Sequence, residues 1–243
     1  MRRFRKVRHV PLPLLAVIMA AILFAELARC EREGAKETAA EVEKSVPRRA
    51  ALTFDDGPNA CYTPEVLEIL KENEIQNNNL QHMRENEILA TFFLQGQCLA
   101  GNEEIVRRMH AEGHLIGNHT FHHVQLTKVS EEEAREEVVK TSNAIYEITG
   151  EYPVYIRPPF GEWREGLDLA VTMIPVLWDV DSRDWESQNT ASICSAVLPN
   201  VKDGSIILMH DGYRATVEAL RRILKELKEE GYTFVTVREL IEE

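Results

Sequence analysis

The sequence predicts a single α/β domain built from parallel strand–helix–strand units, and three observations lead there. Short apolar runs alternate with helix-like stretches along most of the 243 residues, the pattern of strands each followed by a crossover helix. Charged and histidine-bearing motifs stand directly after five of those runs, where a parallel barrel gathers its active site. Setting aside the first 47 residues leaves roughly 200, enough for one barrel with a full hydrophobic core.

Those first residues read differently from the rest. Arg2, Arg3, Arg5, Lys6 and Arg8 crowd the start, and an apolar run from Val10 to Ala28 follows, broken by Pro11, Pro13 and Glu26. Its unbroken part, Leu14 to Ala25, is short of the roughly 20 residues a membrane span needs. A basic start with such a run is an export signal, either cleaved, for which Ala20, Ala21, Ala25 and Ala28 are suited, or kept as a membrane anchor. Arg29 precedes Cys30 where a lipobox requires a small residue, so lipid attachment ranks below both. Residues 1–30 are read as signal or anchor, 31–47 as a polar linker and 48–243 as the folded domain. The expected location is the cell surface or beyond, anchored or secreted.

The formal net charge is −12, which argues against a nucleic-acid partner because phosphate binding needs a basic face. Hydrophobic content of 44% and charged content of 28% are those of a globular protein rather than a disordered one. The four cysteines, Cys30, Cys61, Cys98 and Cys194, form no CxxC pair or zinc-knuckle spacing and are read as free buried thiols.

In chain order, strands are expected at Ala50–Phe54, Ala90–Leu94, Leu115–Gly117, Val154–Arg157, Pro175–Val180, Ser205–Met209 and Thr233–Val235. Helices are expected at Pro64–Asn73, Glu103–Glu112, Glu131–Thr149, Ala191–Val201 and Tyr213–Glu230. Ser130 with Glu133 gives the third helix a capping start, and Gly113, Gly150 and Gly231 close three of the five. Lys71-Glu72-Asn73-Glu74-Ile75 recurs as Arg84-Glu85-Asn86-Glu87-Ile88, a small local duplication.

The chemistry-bearing residues fall into the five motifs. In His119-Thr120-Phe121-His122-His123 the outer histidines are four apart and would share one face of a helical turn, so both imidazoles could chelate one metal ion. The Asp55-Asp56 pair is the best source of a carboxylate to complete a three-ligand site, and two carboxylates together can divide metal binding from proton transfer. His210 ends the apolar Ile206–Met209 run, where a histidine can serve as a general acid. A buried Asp184 accepting a hydrogen bond from it would orient it and keep it charged. Taken singly, each of these also has an ordinary structural explanation: a turn, a surface histidine, a capped ring.

Taken together, the motifs resemble those of the polysaccharide deacetylases of carbohydrate esterase family 4, the NodB-homology domain, in order from Ala50 to Glu242. The resemblance implies a distorted, incomplete (β/α)7-type barrel and a metal-dependent hydrolase that releases acetate from an N-acetylated amino-sugar polymer. It makes Asp55 the general base, and Asp56, His119 and His123 the metal ligands. Arg157, in Arg157-Pro158-Pro159-Phe160-Gly161, would hold the base, and the Phe160 N–H would bind the oxyanion. Asp184 would tether His210, the acid, while Trp185 and Leu208 would wall the acetyl pocket. Phe160 departs from the tyrosine more common there, and Gln76–Ile88 reads as an insertion. Zinc is the default metal for two histidines and an aspartate, with cobalt or another divalent ion as substitutes. The expected partner is a glycan polymer, peptidoglycan N-acetylglucosamine before chitin oligomers, with the membrane as a second partner if the N-terminal segment stays uncleaved. The rival readings are a non-catalytic glycan-binding barrel and a metal-dependent amidase or esterase acting on another acetylated substrate. Tyr62, Trp163 and Trp185 are the aromatics available to stack on sugars.

Overall fold

The structure, a computed structural model, describes Arg29 and residues 47–72, 88–169 and 171–242. Apart from Arg29 and Pro47, the expected signal or anchor and linker lie outside the described residues, as does all of the duplicated segment between Glu72 and Ile88. Among those described, no helix is long and apolar enough to cross a membrane. Arg48–Glu243 forms one compact unit.

Eight parallel strands make its sheet: β1 (Arg48–Asp55), β2 (Ala90–Leu94), β3 (Leu115–Asn118), β4 (Tyr155–Ile156), β5 (Ile174–Pro175), β6 (Val180–Asp181), β7 (Ser205–His210) and β8 (Tyr232–Phe234). Their order is β5-β4-β3-β2-β1-β7-β6, with β8 pairing the start of β1. The central strands are near-continuous apolar runs, as strands covered on both faces must be. Alternation divides their side chains. Ala50, Leu52 and Phe54 of β1 join Phe92 and Met209 in the main core. Ala51 joins Phe93, Tyr155 and Val176 in a smaller cluster.

The expected strand Pro175–Val180 is corrected to two. Val176 N donates to Ile156 O at 2.8 Å, whereas Asp179 N donates to Ile206 O at 2.9 Å. Within three residues the chain passes from β4 to β7, so β5 and β6 are two ends of one stretch that closes the ring. No straight strand could pair with both neighbours there, and this crossing is where the barrel is distorted.

Helices pack around the sheet: α1 (Thr63–Glu72), α2 (Glu103–Ala111), α3 (Glu131–Thr149), α4 (Asp184–Ser187), α5 (Thr190–Val197), α6 (Arg214–Glu229) and α7 (Val237–Ile241). In α6, Val217, Leu220, Ile223, Leu224 and Leu227 recur at helical spacing and are buried, the apolar stripe that seats a helix on a core. Ser130 Oγ accepts from Glu133 N, and Gly150 takes the left-handed conformation, φ 78°, that ends α3. The expected helix Ala191–Val201 stops at Val197 and gives way to a 3₁₀ turn at Leu198–Asn200, since Pro199 cannot continue an α-helix. The short α4 and α7 escape periodicity because neither reaches two turns. A Thr236/Glu239 capping box does mark the start of α7.

Candidate active site

Strand register delivers the first catalytic candidates. Asp55, the last residue of β1, is the direct partner of His210 at the end of β7, and Thr53 partners Leu208. Partners on adjacent parallel strands point the same way, so all four face the barrel interior. Asp56 then turns out of the strand with φ 71°, a left-handed conformation that Asp tolerates better than most residues.

The three residues expected to hold a metal meet at this rim. Asp56 Oδ1 lies 3.4 Å from His119 Nε2 and 3.5 Å from His123 Nε2, and one ligand atom from each residue falls within 4.8 Å of the others. Tetrahedral bonds of about 2.0–2.2 Å set neighbouring ligand atoms roughly 3.3–3.6 Å apart, so the spacing fits a divalent ion. The tautomer fits too. His119 Nδ1 donates to Arg157 O at 2.6 Å, which makes Nε2 the nitrogen available to a metal. Burial and the neighbouring His119 ring hold His123 below the usual imidazole pKa, so it is a neutral ligand at neutral pH. Burial works against the Asp56 carboxylate, yet His119 by hydrogen bond and charge, with His210 and His123, holds its pKa well below the usual range.

The histidines do not sit on a helical turn, as their spacing suggested. Residues 119–123 form an irregular loop with left-handed backbone at Thr120 and His123. Glu137 of α3 holds that loop: its Oε2 accepts from Phe121 N at 2.9 Å and His122 N at 2.7 Å, and its Oε1 from His122 Nδ1 at 2.6 Å. His122, whose role the sequence left open, is therefore committed to Glu137.

Asp55 is 3% exposed and Arg157 is fully buried. Arg157 Nη1 donates to Asp55 Oδ1 at 2.9 Å and to Thr53 Oγ1 at 2.6 Å. Nε and Nη2 donate to the carbonyls of Val176 and Leu177. The guanidinium carbon also lies 4.3 Å from the centre of the Phe93 ring. Such a fork fixes one carboxylate in one orientation.

Asp184, also fully buried, accepts His210 Nδ1 at 2.7 Å, His210 N at 2.7 Å, Thr216 Oγ1 at 2.7 Å and Trp185 N at 2.8 Å. Burial alone would raise its pKa, but the His210 and Thr216 bonds hold it down. For His210, burial lowers the pKa, and the Asp184 bond and charge, with Asp55 and Asp56, outweigh it to raise the value to about 9. His210 is thus a protonated donor whose Nε2 lies 4.0 Å from Asp56 Oδ2.

Asp55, Asp56, His119, His123 and His210 line a cavity of about 400 Å³, whose walls include Trp185 and Leu208 as expected, together with Phe160 and with Trp178 and Asp181, to which the sequence assigned no role. Phe160 adopts φ 63° and its ring meets that of His123 edge-on at 4.8 Å. Tyr62 and Trp163 are not in this wall. Tyr62 packs on the main core and Trp163 on a satellite cluster around Leu126 and Ile156. A second cavity of about 350 Å³, by Leu89, His114 and Val154 near the strand N-termini, holds none of the selected residues. Cys61, Cys98 and Cys194 are free, but only Cys194 is buried; Cys98 is half-buried and Cys61 exposed, and Cys30 lies outside the described residues.

Asp211 directly follows His210 in the sequence. It is buried against Gly57, where a Cβ would come within 2.6 Å of its Oδ2. Glycine there is required by this close approach. Burial pushes the Asp211 carboxyl up to about 7, opposed by the Thr63 hydroxyl and reinforced by Asp56.

Residues 43–173 match the family described as polysaccharide deacetylase. The chain belongs to this family. It is 37% identical over 193 residues to the peptidoglycan-N-acetylglucosamine deacetylase PgdA of Listeria monocytogenes, a match covering 79% of this chain and 39% of that protein. It thus spans about two-fifths of the length of that relative. A peptidoglycan-N-acetylglucosamine deacetylase of Bacillus cereus is 35% identical over 199 residues, covering 79% of this chain and 87% of the relative. Among solved structures, the peptidoglycan deacetylase PdaC of Bacillus subtilis superposes with a TM-score of 0.73 at 37% identity, over 81% of this chain and 91% of that one. The polysaccharide deacetylase fold is therefore shared nearly throughout the described domain.

Proposed function

We propose that this chain is a metal-dependent hydrolase that removes N-acetyl groups from an amino-sugar polymer, with peptidoglycan N-acetylglucosamine as first substrate and chitin oligomers second. The observation that carries this reading is the register of Asp55 and His210 on adjacent strands. It sets a carboxylate held by an arginine and an imidazolium held by an aspartate beside the Asp56–His119–His123 triad, with Asp55 Oδ2 3.9 Å from His119 Nε2 and His210 Nε2 4.0 Å from Asp56 Oδ2. Amide hydrolysis needs that division: a base for the attacking water and an acid for the leaving amine.

Asp56, His119 and His123 would hold the metal, zinc by the chemistry of the donor set. When bound, the ion supplies Lewis acidity to the water and to the acetamide carbonyl. Asp55, oriented by Arg157, takes the proton from the water. The Phe160 N–H donates to the oxyanion that forms. His210, held by Asp184, passes its proton to the amine nitrogen, releasing acetate and a free amino sugar. Trp185 and Leu208 enclose the acetyl methyl group. A cell-wall substrate lies outside the cytoplasm, which agrees with reading the N-terminal segment as an export signal or anchor.

The test is acetate release from purified peptidoglycan and from chitin oligomers, before and after metal stripping. Release that requires the metal supports the reading. Binding to either glycan without acetate release overturns it in favour of a glycan-binding barrel, and activity confined to non-sugar acetamides overturns the substrate class.

A further inference from the structure

The five motifs follow other strand ends, and none of them follows β2. The first polar residue beyond β2 is Gln95, which is buried. Its Nε2 donates to Asp56 Oδ1 at 2.6 Å, the same oxygen that both histidines face. The amide has one workable orientation. Asp56 only accepts, and Gln97 Nε2 donates to Gln95 Oε1 at 2.7 Å, so the oxygen faces Gln97 and the NH₂ faces Asp56.

The backbone of the same turn joins both ligand loops. Gln95 N donates to Gly57 O at 3.0 Å, next to Asp56. Gly96 N donates to Thr120 O and Gln97 N to Phe121 O, both at 3.0 Å, between the two histidines. Leu94 O accepts from His119 N at 2.9 Å. Asp56 has a partly exposed side chain on left-handed backbone, so nothing in its own strand holds its carboxylate still.

We propose that Gln95, oriented by Gln97, is a positioning residue that fixes the Asp56 carboxylate for metal capture. The inference rests on the metal-site reading above. Hydrogen-bond partners of ligating groups fix their direction and basicity, and losing one typically costs about 10–100-fold in metal affinity.

Metal-stripped parent, Gln95→Met and Gln97→Leu are titrated with Zn²⁺ at fixed pH, with Co²⁺ absorption spectra and the melting temperature of each metal-free protein recorded alongside. Gln95→Met keeps length while removing the amide. Gln97 is exposed, so its replacement leaves folding intact and removes only the orienting bond. The expected result is roughly 10–100-fold weaker Zn²⁺ binding for Gln95→Met, a smaller loss in the same direction for Gln97→Leu, shifted Co²⁺ bands, and near-parental metal-free melting. Parental affinity in both variants, or a loss of affinity in Gln95→Met matched by a collapse of its metal-free melting temperature while Gln97→Leu stays parental, overturns the inference. A parent that takes up no metal overturns the metal-site reading itself, and this inference with it.

Discussion

The main-chain carbonyl of Arg157 accepts the Nδ1 proton of His119 at 2.6 Å. Arg157 therefore serves two neighbours by separate parts: its backbone sets the tautomer of a metal-ligand candidate, and its guanidinium holds Asp55. Substitution removes only the second. Arg157→Lys is predicted to keep its metal while losing most turnover, because an ammonium cannot reproduce the fork to Asp55, Thr53 and the Val176 and Leu177 carbonyls. Arg157→Ala leaves the Asp55 charge buried without a partner, a loss of about 3–5 kcal/mol. Metal content, turnover and denaturant melts on the two variants check this, and a Lys variant that sheds its metal would contradict the separation.

The two adjacent acids are predicted to fail differently. Asp55→Asn should hold its ion and lose about 10²–10⁴ in rate, since an amide cannot accept the proton. Asp56→Asn should lose the ion. The distances already separate them, with Asp56 Oδ1 nearer to His119 Nε2 than Asp55 Oδ2 is, at 3.4 Å against 3.9 Å. Metal analysis beside acetate-release rates decides the assignment, and the opposite pattern would exchange the roles.

Much of this site was legible in the sequence because barrel chemistry collects at strand ends, where an apolar run stopping at Asp55, Asn118, Arg157 or His210 is visible. Register then does the rest, since alternation along β1 decides that Asp55 and not Phe54 faces inward. What stayed hidden is what arrives from elsewhere. Glu137 sits mid-helix in α3 among other glutamates, and no local pattern distinguishes the one that grips the histidine loop. Gln95 was visible in principle as the polar residue ending β2, but an amide beside acids and histidines draws no notice. The division of β5 from β6 was illegible because it depends on which neighbours the stretch must reach.

His210 carries a pH prediction. Burial opposes its charge, but Asp184, Asp55 and Asp56 raise its pKa to about 9. The folded value exceeds the unfolded imidazole value of about 6.5. Its contribution to stability is therefore full below about 6.5 and is lost as pH rises through about 9. In metal-free protein the His210 ring should titrate near 9 by NMR. Asp184→Asn should bring it down to or below about 6.5, because burial then acts with its main opponent gone. A parental His210 that titrates near 6.5 would show that Asp184 does not hold the proton.

Glu137 is predicted to set the geometry of the histidine loop. Glu137→Ala removes the acceptor of the Phe121 and His122 amides and of the His122 ring. These donors are only part-buried, so each costs less than the about 1–3 kcal/mol of a fully buried one, but strained left-handed backbone at Thr120 and His123 needs outside support to persist. Weaker metal binding with a lower melting temperature is expected. Glu137→Gln, which keeps acceptor capacity, should recover part of both. A Glu137→Ala variant with parental zinc affinity would remove Glu137 from the positioning of the ligands.

The duplicated segment yields the last prediction. Ile88, in its second copy, is 1% exposed and packs in the main core, so the segment is not wholly dispensable. Excising Gln76–Ile88 nevertheless joins Glu74-Ile75 to Leu89, which reproduces the local sequence Glu87-Ile88-Leu89. Ile75 would then occupy the place of Ile88. Asn73, Glu74, Ile75 and Leu89 would connect α1 to β2, within the roughly 2–6 residues usual for such links. The excised chain is predicted to fold with near-parental melting temperature, metal binding and activity. The substitution pattern tests the exchange directly. In the parent, Ile88→Ala should cost about 2–5 kcal/mol, as large-to-small changes in a packed core do. In the excised chain, Ile75→Ala should cost the same. If the excised chain is insoluble, or if Ile75→Ala in it is silent, the isoleucines are not interchangeable and the insertion contributes packing that its repeat does not replace.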